Sequence, residues 1–315
     1  MIPPALSQVA EQFVRVLVII VCAAMFVKYD WNLYSMGANA MLGSTFGAVF
    51  CDDLHEFVFI LKRFFKARQS DFHEDYSVLF KKMFTEGLVL CLFAAMMVLL
   101  QLVDSFTVMN GLRLSGMSLS KAQNLKGAYD RAQPLVQLGM ALATGFSASL
   151  LPALSSELAE KKVAEFKETT KIILRISTVI ALAATVGMIS IMPELNTLLF
   201  GDAFLSSTIS AYVVSIVFIT LISTYNSILQ SMNLFSKAAF SLLCGIFVKA
   251  CTNVWLIGQF GIIGASISTV LALAVSLALI VFFKPKSVGS VFTGDSFMTK
   301  LGAACLFDWA DRSKR

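Results

Sequence analysis

The strongest constraint on this chain is a series of apolar runs, each long enough to cross a lipid bilayer. A spanning helix needs about 20 mostly apolar residues, and eight such runs can be placed: Pro4–Val27, Met36–Leu61, Gly87–Met109, Gly127–Leu150, Ile172–Met192, Ser206–Gln230, Ala238–Ile257 and Ile262–Phe283. Lipid offers no partner for backbone N–H and C=O groups, so each run reads as a helix. Composition agrees, since 57% of the 315 residues are apolar and 14% charged, against about 45–50% and about 25% in a soluble domain. The pattern predicts an all-α, polytopic transmembrane helix bundle. The second run is the least regular. Its segment GANAMLGSTFGAVF meets Cys51, Asp52, Asp53, Leu54, His55 and Glu56 before resuming as FVFILK, so the lipid-buried part either ends early or turns its acidic side inward.

Several function classes drop out at once. The six cysteines are scattered without CxxC spacing, and only His55 and His73 offer imidazole nitrogens. Neither a metal site nor a disulfide framework is expected, and the thiols read as small core residues. No nucleotide-binding loop, HExxH or nucleophile elbow is present, so no catalytic residue, cofactor or enzyme activity is expected. The opening MIPPALSQVAEQFVRV lacks the basic region and small-residue cleavage site of a secretory signal.

The net charge of +5 is a topology signal rather than a nucleic-acid patch. Of the 25 Lys and Arg, 18 fall in the connections after the second, fourth, sixth and eighth runs, counting Arg175 at the edge of the fifth run with them, four fall on the other side, and three lie deeper within helices. The positive-inside rule makes the basic side cytoplasmic, and with it both ends of this chain. Ser156–Thr170, with acids and lysines alternating around Val163 and Phe166, reads as a solvated or interfacial cytoplasmic helix.

A weak internal repeat organises these helices. At an offset of 234, PALSQVAEQFVRV lies over AAFSLLCGIFVKA, matching Ala5/Ala239, Ser7/Ser241, Phe13/Phe247 and Val14/Val248 and placing Arg15 over Lys249. Gly37-Ala38 then falls on Gly264-Ala265 after a loop seven residues shorter. Both copies start on the same side, which is the parallel type of repeat found in many alternating-access transporters. The implied organisation is residues 1–61 as the later part of a first bundle, 62–86 as a basic cytoplasmic linker, 87–283 as a second bundle, and 284–315 as a cytoplasmic tail with the start of a further helix. On that scheme the chain is an internal portion of a longer transporter.

Ionisable side chains within the spans are the functional candidates, because lipid makes them costly. Glu11 and Arg15 share a helix face at i, i+4, and a local pair that ties the bundle together is the simplest reading. Lys249 has no acid in its own helix, and Asp104 is the candidate partner. At about 1.5 Å per residue, Lys249 lies roughly 17 Å and Asp104 roughly 25 Å from the cytoplasmic side, a gap that a lysine stem partly covers. Asn253, one turn beyond Lys249, is nearer the depth of Asp104. Asp104, Lys249 and Asn253 are therefore expected to form one polar site, either a coupling site with the lysine in place of a cation or a static buried ion pair. In the fourth run, Asp130, Arg131, Gln133 and Gln137 cluster around Pro134, which loosens its helix. Arg131 suggests an anionic substrate, because guanidinium pairs two phosphate oxygens and stays ionised. The alternative is an Asp130–Arg131 anchor at the interface. Gly43–Gly47 is a GxxxG of the kind that marks close helix packing.

The segments PPALSQVAEQFVRV, LLQLVDSFTV, KGAYDRAQPLVQLGMALATGFSASLLPALS, LRISTVIALAATVGMISIMPELNTLLFGD, SILQSMN and FGIIGASISTVLALAV together resemble the YtgP/SpoVB branch of polysaccharide and lipid II flippases, in the multidrug/oligosaccharidyl-lipid/polysaccharide (MOP) exporter superfamily. The resemblance runs from Met1 to about Lys286, and its most specific piece is DRAQPLVQLG, Asp130 to Gly139. It implies a two-lobed fold of fourteen helices, of which about eight are present here, in a bacterial cytoplasmic membrane. It also implies an alternating-access flippase that moves an undecaprenyl-pyrophosphate-linked cell-wall precursor, with a proton, sodium or the membrane potential as driver. The related alternatives are an exporter of lipid-linked exopolysaccharide units, a cation-coupled multidrug-type antiporter and a truncated copy without transport activity. By resemblance Arg131 matches a cavity arginine that holds substrate pyrophosphate, with Asp130, Gln137 and Arg15 nearby in the cavity. Asp104 and Asn253 fall where some relatives bind sodium, and Lys249 is the departure from that pattern.

Overall fold

The computed structural model describes residues 95–149 and 162–285, apart from Asn233, together with 16–22 and a few isolated positions elsewhere. Glu11, Arg15, the Gly43–Gly47 motif, the Cys51–Glu56 interruption, most of the basic linker and the tail beyond Val288 lie outside the described residues, as does most of the first copy of the repeat. The chain divides into two compact units between Asp75 and Tyr76.

Among the described residues every regular element is helical. The helices described in the second unit are α1 (Met96–Leu114), α2 (Leu119–Asp130), α3 (Ala132–Ser149), α4 (Val163–Ser190), α5 (Met192–Phe200), α6 (Ser206–Val213), α7 (Ser215–Ser231), α8 (Phe235–Phe260) and α9 (Ile263–Phe283). Among the described residues, four stretches are long and apolar enough to cross a membrane: Val163–Ser190, Ser206–Ser231, Ser236–Phe260 and Ile263–Phe283. The architecture is an all-α, polytopic membrane helix bundle.

Two of the breaks between described helices fall at prolines, and the expected Ser206–Gln230 span divides into α6 and α7 at Val214. Pro134 has no N–H to give the carbonyl of Asp130, so the expected Gly127–Leu150 span is interrupted at Arg131, whose own N–H bonds the carbonyl of Ala128 at 3.3 Å. Pro193, near the start of α5, likewise separates α5 from α4 at Ile191. α4 differs from the expected Ile172–Met192 span by starting at Val163. The amphipathic stretch from Val163 onward is thus not a separate interfacial helix. Phe166 and Thr170 are buried on the face that continues through Ile173, Leu174 and Ser177, so the same packed stripe carries it into the span.

α8 and α9 form an antiparallel hairpin turned by Gly261, whose φ of 65° and ψ of −148° lie in a region essentially reserved for glycine. Their contact is lined with small residues, Ala265, Ser268, Ala272 and Ser276 all being buried on α9. A Cβ on Gly245 would collide with the Ser276 hydroxyl, so the two backbones approach as closely as small residues allow. α1 packs on α8, while α7 is surrounded by α3, α4 and α9. Large apolar side chains point outward, among them Phe106, Phe247, Trp255 and Phe282. Charged and polar ones, Asp104, Lys249 and Asn253, are turned inward, which inverts the ordinary soluble pattern.

Candidate functional site

On α1 the buried positions Leu100, Asp104, Val108 and Gly111 recur at three- and four-residue intervals, which places them on one stripe of the helix. On α8, Leu242, Gly245, Lys249, Asn253 and Leu256 do the same. Because these stripes face each other, Asp104 meets Lys249 and Asn253 directly. Lys249 Nζ donates to Asp104 Oδ2 at 2.7 Å, and Asn253 Nδ2 donates to Asp104 Oδ1 at 3.0 Å. The same amide reaches Thr107 Oγ1 at 2.6 Å. A third donor, the Tyr129 hydroxyl from α2, reaches Asp104 Oδ2 at 3.3 Å. The Lys249 side chain is 0% exposed and that of Asp104 3%.

A carboxylate with one ammonium and two neutral donors is well satisfied, and charge-assisted bonds of this length are the strong ones. The desolvation cost of the two ions is of the same order as their attraction, so the pair contributes little net stability as long as it stays whole. Removing either partner leaves a bare charge in an apolar interior. The set is therefore a buried lock between α1 and α8 whose two charges belong together. Asn253 Oδ1 has no hydrogen-bond partner, which leaves one buried acceptor unused beside the pair.

The second cluster lies at the α2–α3 break. Asp130 turns outward and binds Lys126 at 2.6 Å. Arg131 instead forks across the carboxylate of Asp202, in the α5–α6 loop, with Nη1–Oδ1 at 2.7 Å and Nη2–Oδ2 at 3.3 Å. Its guanidinium also lies 5.1 Å from the Phe200 ring centroid, within cation–π range. The loop is built to hold that carboxylate. Gly201 ends α5 in the left-handed conformation at φ 83°, and the Phe204 N–H donates to Asp202 Oδ1 at 3.0 Å. The hydrogen bond from Arg131, followed by that from Phe204, lowers the Asp202 carboxyl from its ordinary value.

Consecutive residues point different ways at the break, so Asp130 and Arg131 pair with separate partners, Lys126 and Asp202. Gln137 is exposed on α3, whereas Gln133 is the glutamine turned inward, reaching the Tyr212 hydroxyl at 3.5 Å. Tyr129, Thr107 and Asp202 are additions that the sequence did not single out. Thr107 had a signal, since it sits one turn from Asp104 on the same face. Tyr129 had only its place beside Asp130 and Arg131, and Asp202 had none.

No protein-family model matches the chain, and no solved structure matches it. It is 32% identical over 278 residues to the uncharacterized membrane protein YabM of Bacillus subtilis (strain 168), a match that covers 87% of this chain and 52% of the relative. The chain thus spans about half the length of the curated relative it matches. It is a multi-pass membrane protein. The apolar helices with inward-turned charges and the similarity to a membrane protein agree on that point.

Proposed function

We propose that the protein is a membrane transporter of the flippase type, moving an undecaprenyl-pyrophosphate-linked cell-wall precursor such as lipid II across the bacterial cytoplasmic membrane by alternating access. The observation that carries this reading is the Asp104–Lys249 pair, an ion pair with almost no solvent exposure inside a polytopic bundle. Ionised groups at such positions are typical of substrate and ion pathways. The resemblance carried by DRAQPLVQLG supplies the substrate class, and Arg131 supplies the chemistry, because its planar fork fits a diphosphate as it fits the Asp202 carboxylate. In the proposed cycle the substrate diphosphate takes the place of Asp202 on Arg131. Lys249 already neutralises Asp104, which favours a proton or the membrane potential over sodium as driver. Lipids and the lipid-linked precursor are the partners, and no covalent bond of the substrate changes.

The test is complementation. The full reading frame, wild type and Arg131→Ala, is expressed at equal membrane levels in cells depleted of their own lipid II flippase. Rescue by wild type and not by Arg131→Ala is the expected result. Failure of the wild type would overturn lipid II as substrate and favour export of lipid-linked exopolysaccharide. Rescue by both would overturn the substrate role of Arg131.

A further inference from the structure

Among the described residues, buried Tyr129 touches the first cluster and lies two residues from Arg131 of the second. Tyr129 is the last buried residue of α2 and Gln133 belongs to the first turn of α3, so they flank Arg131 at equal distance along the chain. Tyr129 donates to Asp104, and its ring packs edge-on against Tyr212 with centroids 5.5 Å apart. Tyr212 in turn accepts from Gln133 at 3.5 Å, the outer limit of a hydrogen bond. Both tyrosines are buried, with exposures of 2% and 1%. Pro134 deprives the turn of the backbone bond that would otherwise hold Asp130 in helical register, so side-chain ties decide how the turn is set. Of these ties, the one to Asp104 is shorter and ends on an ionised acceptor.

We infer that Tyr129 is a positioning residue that couples the Asp104–Lys249 lock to the setting of Arg131. While the phenol is bound to Asp104, the α2–α3 turn presents Arg131 to Asp202. When Asp104 moves away from the phenol, the tie is released and the turn that carries Arg131 loosens. The inference rests on the reading of Arg131 as a substrate contact and adds the means by which an event at the ion pair reaches it.

Hydrogen–deuterium exchange on the full chain in lipid nanodiscs tests this without substrate or transport, so a negative result leaves the transport reading standing. Tyr129→Phe keeps the ring and removes only the hydroxyl. It is expected to speed exchange of the amides of residues 129–135 and 201–206 about fivefold, the effect of losing one hydrogen bond, and to leave α4 unchanged. The paired replacement Asp104→Leu with Lys249→Met, which orphans no charge, is expected to do the same. Adding Tyr129→Phe to it should produce no further increase. Unchanged exchange in Tyr129→Phe, or effects of the two changes that multiply in the triple variant, would overturn the coupling. If the paired variant does not fold, Tyr129→Phe decides alone, since acceleration at 201–206, which Tyr129 does not adjoin in sequence, is required.

Discussion

The Asp104–Lys249 and Arg131–Asp202 pairs have the same shortest distance, 2.7 Å, and almost nothing else in common. The first has side-chain exposures of 3% and 0% and joins two packed helices. The second has exposures of 24% for Arg131 and 50% for Asp202, and joins a helix break to a loop. Distance alone says little about what an ion pair does. In the interior, neither ion has water to fall back on, so the pair behaves as one unit whose members cannot be removed separately. At the second site Asp202 keeps about half of its exposure and Arg131 about a quarter, so the partners separate at a lower cost than in the interior. One site is suited to hold, the other to exchange.

The largest effect expected from this contrast comes from splitting the buried pair. Asp104→Ala should destabilise the bundle by about 3–5 kcal/mol, whereas Asp104→Leu with Lys249→Met should fall within roughly 1–2 kcal/mol of wild type. Reversible unfolding in bicelles measures both, and equal losses in the two variants would erase the distinction. Next in size is Asn253→Ala, which removes one donor to Asp104 and one to Thr107. A loss of about 1.5–3 kcal/mol is expected, the range for a hydrogen bond to a charged group, and a loss near zero would show that Lys249 and Tyr129 satisfy the carboxylate alone. The smallest effect belongs to Asp202→Asn, which should change global stability by less than about 1 kcal/mol. Its signature is local. The folded carboxyl is lowered, so its contribution is complete above the unfolded carboxylate value and is lost as pH falls through the folded one. Exchange protection of residues 201–206 should therefore hold at neutral pH and fall on acidification in wild type. In Asp202→Asn it should be low and flat, and insensitive to added salt.

The helices were legible because their cause is local. An apolar run of bilayer length has few alternatives to a helix, and α8, α9 and the α6–α7 pair taken together lie within a few residues of the runs that predict them. The start of α4 was misplaced because composition changes at Ile172 while the buried stripe does not, running unbroken from Phe166 through Ser177. Lys249 could be picked out because an ammonium in lipid demands a partner, and Asp104 was within reach in depth. Arg131 could be picked out as a charge, but not its partner Asp202, which is 71 residues away in a loop; the adjacent Asp130 points elsewhere, since neighbouring residues on a helix diverge by about 100°.

Local chemistry in this sequence determined that the chain enters the membrane, where its helices run, and which charges have to be resolved inside. Only the tertiary structure decided who resolves them. Lys249 and Asp104 are 145 residues apart, and Arg131 and Asp202 are 71 apart. Those meetings depend on helix rotation, depth and the shape of one glycine-ended loop. Tyr129 acquires its place between the two clusters in the same way, because a phenol two residues before an arginine has no meaning until α2 is laid against α1.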